Sequence, residues 1–303
     1  MTELFTLFLN NLLPIFLIAG AGMLLARATN LNPRPLSQVI FYIFSPCLIF
    51  TLLIQSKLDS QIIGHVILYA ITSCLLLGAV TWIIGKLLKL EGPLFSAVLI
   101  TSMFMNAGNY GLPVVLFAFG QNALGIASLF FVINAGLTYT LGTVIASMST
   151  MSFGKALLNL FKLPLIYAML LALLFLYTGW KIPLPLERAT KLLGDASIPG
   201  MLVLLGLQLK TANILGKTRP IALASGMRLL ISPLLAIFLL PLFGLTGVAR
   251  QAITIQAGMP AAVLTTALAT EFNSDPAFVT AAVFLTTLLS PLTLTPLLSF
   301  LGA

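Results

Sequence analysis

The chain has 303 residues, of which 59% are hydrophobic and only 7% charged, with 15 Lys and Arg against 7 Asp and Glu and a formal net charge of +8. A water-facing surface needs about a quarter to a third of its positions charged, so this composition excludes a soluble globular protein and makes lipid the solvent. At about 20 apolar residues per helical crossing of a hydrocarbon core, and about 30 with short connections, the length accommodates about ten crossings and no separate soluble domain.

In chain order, the apolar runs between charged, Gly and Pro punctuation predict spans near 6–27, 36–56, 63–86, 93–117, 122–148, 156–179, 188–209, 220–243, 249–270 and 277–300. The first lacks a basic lead and an A-x-A cleavage site and is read as a retained helix rather than a signal peptide. The runs are continuously apolar rather than alternating, which speaks against a barrel. Helices satisfy their own backbone polar groups in lipid. Cys47 and Cys74 lie inside apolar runs without CxxC spacing and are read as packing residues.

A polar break at Ser149–Lys155 divides the chain into halves, 1–150 and 151–303, and three features recur about 150 residues apart. Pro14 of "NNLLPIF" matches Pro164 of "LFKLPLI", Ser45-Pro46 matches Ile198-Pro199, and "NAGNYGLP" (106–113) matches "QAGMP" (256–260). Five spans per half is an odd number, so the second half inserts upside down, the inverted-repeat plan of many secondary transporters. Placing the cations on this map puts Arg27, Arg34, Lys86, Lys89, Lys155, Lys162, Lys210, Lys217 and Arg219 on one side. Lys57, Lys181, Arg188, Lys191 and Arg250 fall on the other. The positive-inside rule makes the first side cytoplasmic, with both termini outside. The excess of cations is thus topological, and with no basic run there is no case for a nucleic-acid partner.

Gly and Pro concentrate in the fourth and ninth spans. Pro removes a donor and clashes with the carbonyl four residues earlier, and Gly lowers the cost of leaving helical geometry. Both spans are therefore expected to break, the fourth within Asn106–Pro113 and the ninth from Gly258 to Pro260. Irregular backbone at membrane depth survives only where it is buried in protein or lines a polar cavity. Asn106, Gly108, Asn109 and Gln256 become candidate contacts to a substrate, with Asn134 and Thr138 on the following span either completing the cavity or bonding a neighbouring helix. Half-helix amide ends carry partial positive charge, so an organic anion can bind there without a buried cation.

Two intramembrane charges stand out. Arg228 either lines the inner path or snorkels to the headgroups. Asp195 is a candidate proton-coupling carboxylate or a helix-end residue reached by water, and pairing of the two is not expected at their different depths. His65 is read as interfacial, and Glu271 and Asp275 as cap or loop residues. Thr286, Thr287, Ser290 and Thr293 form a polar stripe on the tenth span that, with the broken ninth, could offer oxygen ligands to sodium. No metal or cofactor motif is present in the sequence.

These residues together resemble the auxin efflux carrier family, which includes plant auxin carriers and bacterial malate or malonate permease-like proteins. The likeness rests on "NAGNYGLP", "GMP", "SPC" and "LATEFNSDPAFVTAAVFLTTLLSPLTLTP", and it spans essentially the whole chain. It implies an all-α polytopic fold of ten helices in two inverted five-helix repeats. Helices 1, 2, 6 and 7 would form a scaffold, and helices 3–5 and 8–10 a bundle whose broken fourth and ninth members cross at Pro113 and Pro260. It also implies a substrate site at the crossing and a homodimer. The long hydrophilic loop of the plant carriers is missing, and "QAGMP" has no Asn to mirror Asn106.

The function predicted is a secondary active transporter of a small organic anion in the bilayer of a bacterial plasma membrane, coupled to a proton or sodium. The alternatives are a sodium-coupled carrier like the bile-acid symporters, or a non-transporting sensor or channel on the same fold. A single His and the absence of Asp-rich, His-cluster or Ser/His motifs argue against an enzyme.

Overall fold

The structure is a computed structural model that describes residues 2–29, 31–56, 59–147, 153–209 and 218–303. Lys57, Lys210, Lys217 and the boundary between the halves at 150 and 151 lie outside the described residues.

The described residues are helical almost throughout. They form α1 (Glu3–Thr29), α2 (Pro33–Ser56), α3 (Ser60–Leu87) and α4 (Gly92–Met103), then α5 (residues 107–119) and α6 (residues 121–146). The second half supplies α7 (Pro164–Thr178), α8 (Leu184–Gln208), α9 (Thr218–Phe243), α10 (Gly247–Ala257), α11 (Val263–Glu271) and α12 (Pro276–Leu301). Seven helical stretches among the described residues are long and apolar enough to cross a membrane, and an eighth counts if Gly154–Lys162 and α7, bent by 68° at Pro164, form one crossing. One of the seven, Ala107–Ala146, has 40 residues. A straight helix of that length would be about 60 Å long, twice the hydrocarbon core. Gly120 interrupts it, with φ 74° and ψ −167°, a conformation open only to glycine. The chain then doubles back, since Gly108 lies against the Phe131 ring and Asn134 reaches Met105.

Two helix entries carry side-chain caps. The Asn32 side chain accepts from the Arg34 amide with Pro33 in the first turn, and Asp275 accepts from the Phe278 amide ahead of α12. Prolines inside the spans leave a second imprint. Wide π turns at Phe8–Leu12, Ile40–Phe44, Ala107–Gly111 and Met227–Ile231 each end two residues before a proline, Pro14, Pro46, Pro113 and Pro233. The carbonyl that each ring would strike, four residues back, lies in the widened turn. A fifth π turn, Thr138–Gly142, has no such proline.

The sixth span, expected near 156–179, is bent at Pro164, and the fourth, expected to break within Asn106–Pro113, breaks at the first residue of that segment and just before it rather than at the proline. Its break lies at 104–106, where Phe104 is extended (φ −104°, ψ 121°) and Asn106 has φ −77° and ψ 62°. Pro113 sits buried at the seventh residue of α5, where the π turn Ala107–Gly111 before it absorbs the ring.

α1 and α8 make the closest helix contact. A methyl group at Gly206 would overlap the Ala19 carbonyl, and one at Gly22 would overlap that of Val203, so the backbones touch. Small residues at membrane-helix interfaces allow this approach. α2 meets α8 where Gly194 lies on the Leu48 backbone and the Ser45 and Ser197 hydroxyls are 3.3 Å apart. A Gly206→Ala substitution should destabilise the folded protein by about 1–3 kcal/mol, read as a lowered unfolding temperature in detergent. Gly20→Ala, where a methyl meets nothing within 4 Å, should leave it unchanged.

Candidate functional site

The centre of the molecule is a crossing of two broken helices. The strand-like residues 104–106 between α4 and α5 lie antiparallel to residues 260–262 between α10 and α11. The Asn106 amide donates to the Pro260 carbonyl at 2.8 Å, and the Ala262 amide donates to the Phe104 carbonyl at 3.0 Å. Each interruption thus satisfies the other's backbone, as a break away from water must. Side chains brace the pair. Gln256 donates to the Ala107 carbonyl at 3.1 Å, Asn134 to the Met105 carbonyl at 3.2 Å, and the Thr286 hydroxyl accepts from the Ala261 amide at 3.1 Å.

The crossing gathers four helix ends. The carbonyl ends of α4 and α10 converge on Arg228, which is completely buried. Its guanidinium donates to the carbonyls of Ser102 (2.9 Å), Met103 (3.0 Å) and Ala257 (2.7 Å) and to the Ser232 hydroxyl, which itself donates to Ala257 at 2.8 Å. Arg228 neither snorkels nor lines a path, contrary to both alternatives drawn from the sequence. Depth along a span says nothing about direction, and the partial negative charge of two helix ends outcompetes the headgroups.

The amide ends of α5 and α11 face a different space. A cavity of about 360 Å³ is lined by Asn106, Ala107, Gly108 and Asn109 from the start of α5 and by Ala262, Val263 and Leu264 from the start of α11. First-turn amides have no carbonyl partner within their own helix. Asn134 and Thr138 of α6 also line it, so Asn134 both bonds the break and faces the cavity. α2, α7 and α8 close the opposite wall. The described lining carries no Lys, Arg, His, Asp or Glu, while the Asn106 side-chain nitrogen is buried without a hydrogen-bond partner.

The remaining sequence candidates lie elsewhere. Gln256, Gly258 and Pro260 belong to the crossing but not to the cavity lining, and Pro113 is packed in α5. Asp195 pairs with Lys191 at 2.7 Å and lines a second cavity of about 460 Å³ between α1, α2, α5, the start of α6 and α8. Of the proposed sodium ligands, Thr286 and Thr287 donate within α12 and Ser290 lies 2.9 Å from the Tyr110 hydroxyl. Those oxygens brace the crossing from behind. Sequence reasoning missed Tyr42, Tyr139, Gln38 and Gln208, which also line the first cavity. Gln208 was visible as a polar residue near a span's end, whereas the tyrosines sit at ordinary interfacial positions and gave no signal.

Comparison with known proteins places the chain in a family. The family described as membrane transport protein matches residues 7–298. An uncharacterized transporter of Methanocaldococcus jannaschii is 26% identical over 266 residues, covering 86% of each chain. An uncharacterized transporter of Methanothermobacter thermautotrophicus is 29% identical over 261 residues, covering 84% of each.

The cavity assignment predicts thiol accessibility. In a Cys47→Ser, Cys74→Ser background, Ala267→Cys on the cavity wall should react with a small water-soluble maleimide within minutes. Thr287→Cys, buried behind the crossing, should react at least about tenfold more slowly, since thiol reactivity follows exposure; equal rates would place the water-filled space elsewhere.

Proposed function

We propose, from the premise that the chain belongs to the membrane transport protein family, that of the auxin efflux carriers, that it is a secondary transporter of a small organic anion working by alternating access. The observation that carries this reading is the convergence of two helix amide ends on one cavity that Asn106 and Asn109 line and that has no charged side chains. Each helix end contributes about half a unit of positive charge, so the pair matches one carboxylate. The Asn109 amide, the Asn134 and Thr138 side chains and the Tyr hydroxyls add neutral hydrogen-bonding groups around the remainder of the substrate.

In this reading the chain is two inverted five-helix repeats, 1–150 and 151–303. The antiparallel pairing of the two interruptions supports it, because spans four and nine then run through the membrane in opposite directions. α1, α2, α7 and α8 form the scaffold, and α3–α6 with α9–α12 the moving bundle. The cavity lies between these two groups, at the end of α2 nearest Arg34 and the end of α8 at Gln208. With the cation-rich loops cytoplasmic and both termini outside, the cavity opens inward, and the Asp195 cavity on the other side marks the outer vestibule. Asp195 in an exposed pair with Lys191 serves the entrance rather than the central site.

Uptake into proteoliposomes across a panel of mono- and dicarboxylates is the test. Asn106→Ala should raise the half-saturating concentration about tenfold to a hundredfold, the worth of a hydrogen bond to a charged group. Saturation and counterflow against a gradient of the same substrate should accompany transport. A linear, non-exchanging flux would favour a channel, and saturable uptake unaffected by Asn106→Ala would move the site away from the crossing.

A further inference from the structure

A guanidinium buried without an acid is expensive unless its charge is met in another way. Arg228 is 0% exposed, and among the described residues no carboxylate forms an ion pair with it. Its partners are three main-chain carbonyls at the ends of α4 and α10 and one hydroxyl. That ligand set, carbonyl and hydroxyl oxygens gathered from two chain breaks, is the set a hard metal cation takes. Two helix ends of about minus half a charge each require one positive charge, and the guanidinium supplies it covalently.

We propose that Arg228 is a positioning residue that acts as a built-in counter-cation of the crossing, completing the oxygen cage so that no inorganic cation is needed there. With the carbonyl ends neutralised from one side, the amide ends on the cavity side are left as the uncompensated positive pole. The guanidinium also sets geometry. One nitrogen spans Ser102 and Met103 while the other holds Ala257 and Ser232, which ties α4 to α10 and to α9. Removing it converts a self-sufficient crossing into one that requires an added cation. The proposal rests on the transporter reading only where uptake is measured, so its primary readout is independent of substrate.

Thermal unfolding of the purified protein in detergent, in sodium and in choline media, provides that readout. The wild type should unfold at the same temperature in both. Arg228→Ala and Arg228→Met should unfold at lower temperature in choline and regain a substantial part of the loss with sodium or methylguanidinium. Arg228→Lys, which keeps the charge but not the fork, should fall between them and depend less on added cation. In proteoliposomes, uptake by Arg228→Ala should be about tenfold or more lower in choline than in methylguanidinium, and wild-type uptake should be indifferent to sodium. Absence of any wild-type uptake would remove the transporter reading and leave the unfolding comparison standing. The proposal is overturned by a sodium requirement of the wild type, by Arg228→Met matching the wild type in choline, or by an Arg228→Ala loss that no cation relieves. If Arg228→Ala and Arg228→Met do not fold, the same comparison between wild type and Arg228→Lys decides, equal cation independence of the two being the result that overturns it.

Discussion

Lipid offers no hydrogen bonds, and from that constraint the rest of this molecule follows. Two interrupted helices in an apolar medium leave four helix ends' worth of amides and carbonyls in need of partners. They are made tolerable by being placed together, where residues 104–106 and 260–262 pair with each other. The surplus is then sorted by sign. Carbonyls at the ends of α4 and α10 meet Arg228, and amides at the starts of α5 and α11 meet the cavity. A dipole across the crossing results without any acidic residue, in a chain with only 7 Asp and Glu.

The two halves solve the same problem with different chemistry. The first break carries Asn106, a residue of the cavity lining whose side-chain nitrogen is buried without a partner. The second places Gln256 at the related position, but its longer side chain reaches across to the Ala107 carbonyl and stays within the protein. Each amide side chain keeps one buried polar atom without a partner, the nitrogen of Asn106 and the oxygen of Gln256.

Much of this was legible in the sequence because lipid restricts the vocabulary. Long apolar runs mark helices, and Gly with Pro marks departures from them, so "QAGMP" locates the second interruption correctly. The first was displaced. In "NAGNYGLP" the proline draws attention, yet a proline can be absorbed by a wide π turn when the residues before it permit, as Ala107–Gly111 does. The break falls instead at Phe104–Asn106, where the partner segment offers two main-chain hydrogen bonds that no local pattern announces. Arg228 was legible as unusual but not as to its direction, because its carbonyl partners come from residues more than 100 positions away as well as from Ala257. Cavity tyrosines were invisible for a related reason, being ordinary interfacial residues until the tertiary fold brings Tyr42 and Tyr139 to one cavity.

Gly120 has a mechanical consequence. A single residue joins α5 to α6, and the two legs stay in register, Gly108 against Phe131 and Met105 against Asn134. Such a joint contains no slack. A rotation of the half-helix that begins at the crossing cannot be dissipated in a loop and is delivered through the hairpin to the π turn Thr138–Gly142, whose extra residue per turn gives the far leg its own point of compliance. The hairpin then works as a stiff tuning fork, its tines anchored at the same cavity that its base never touches.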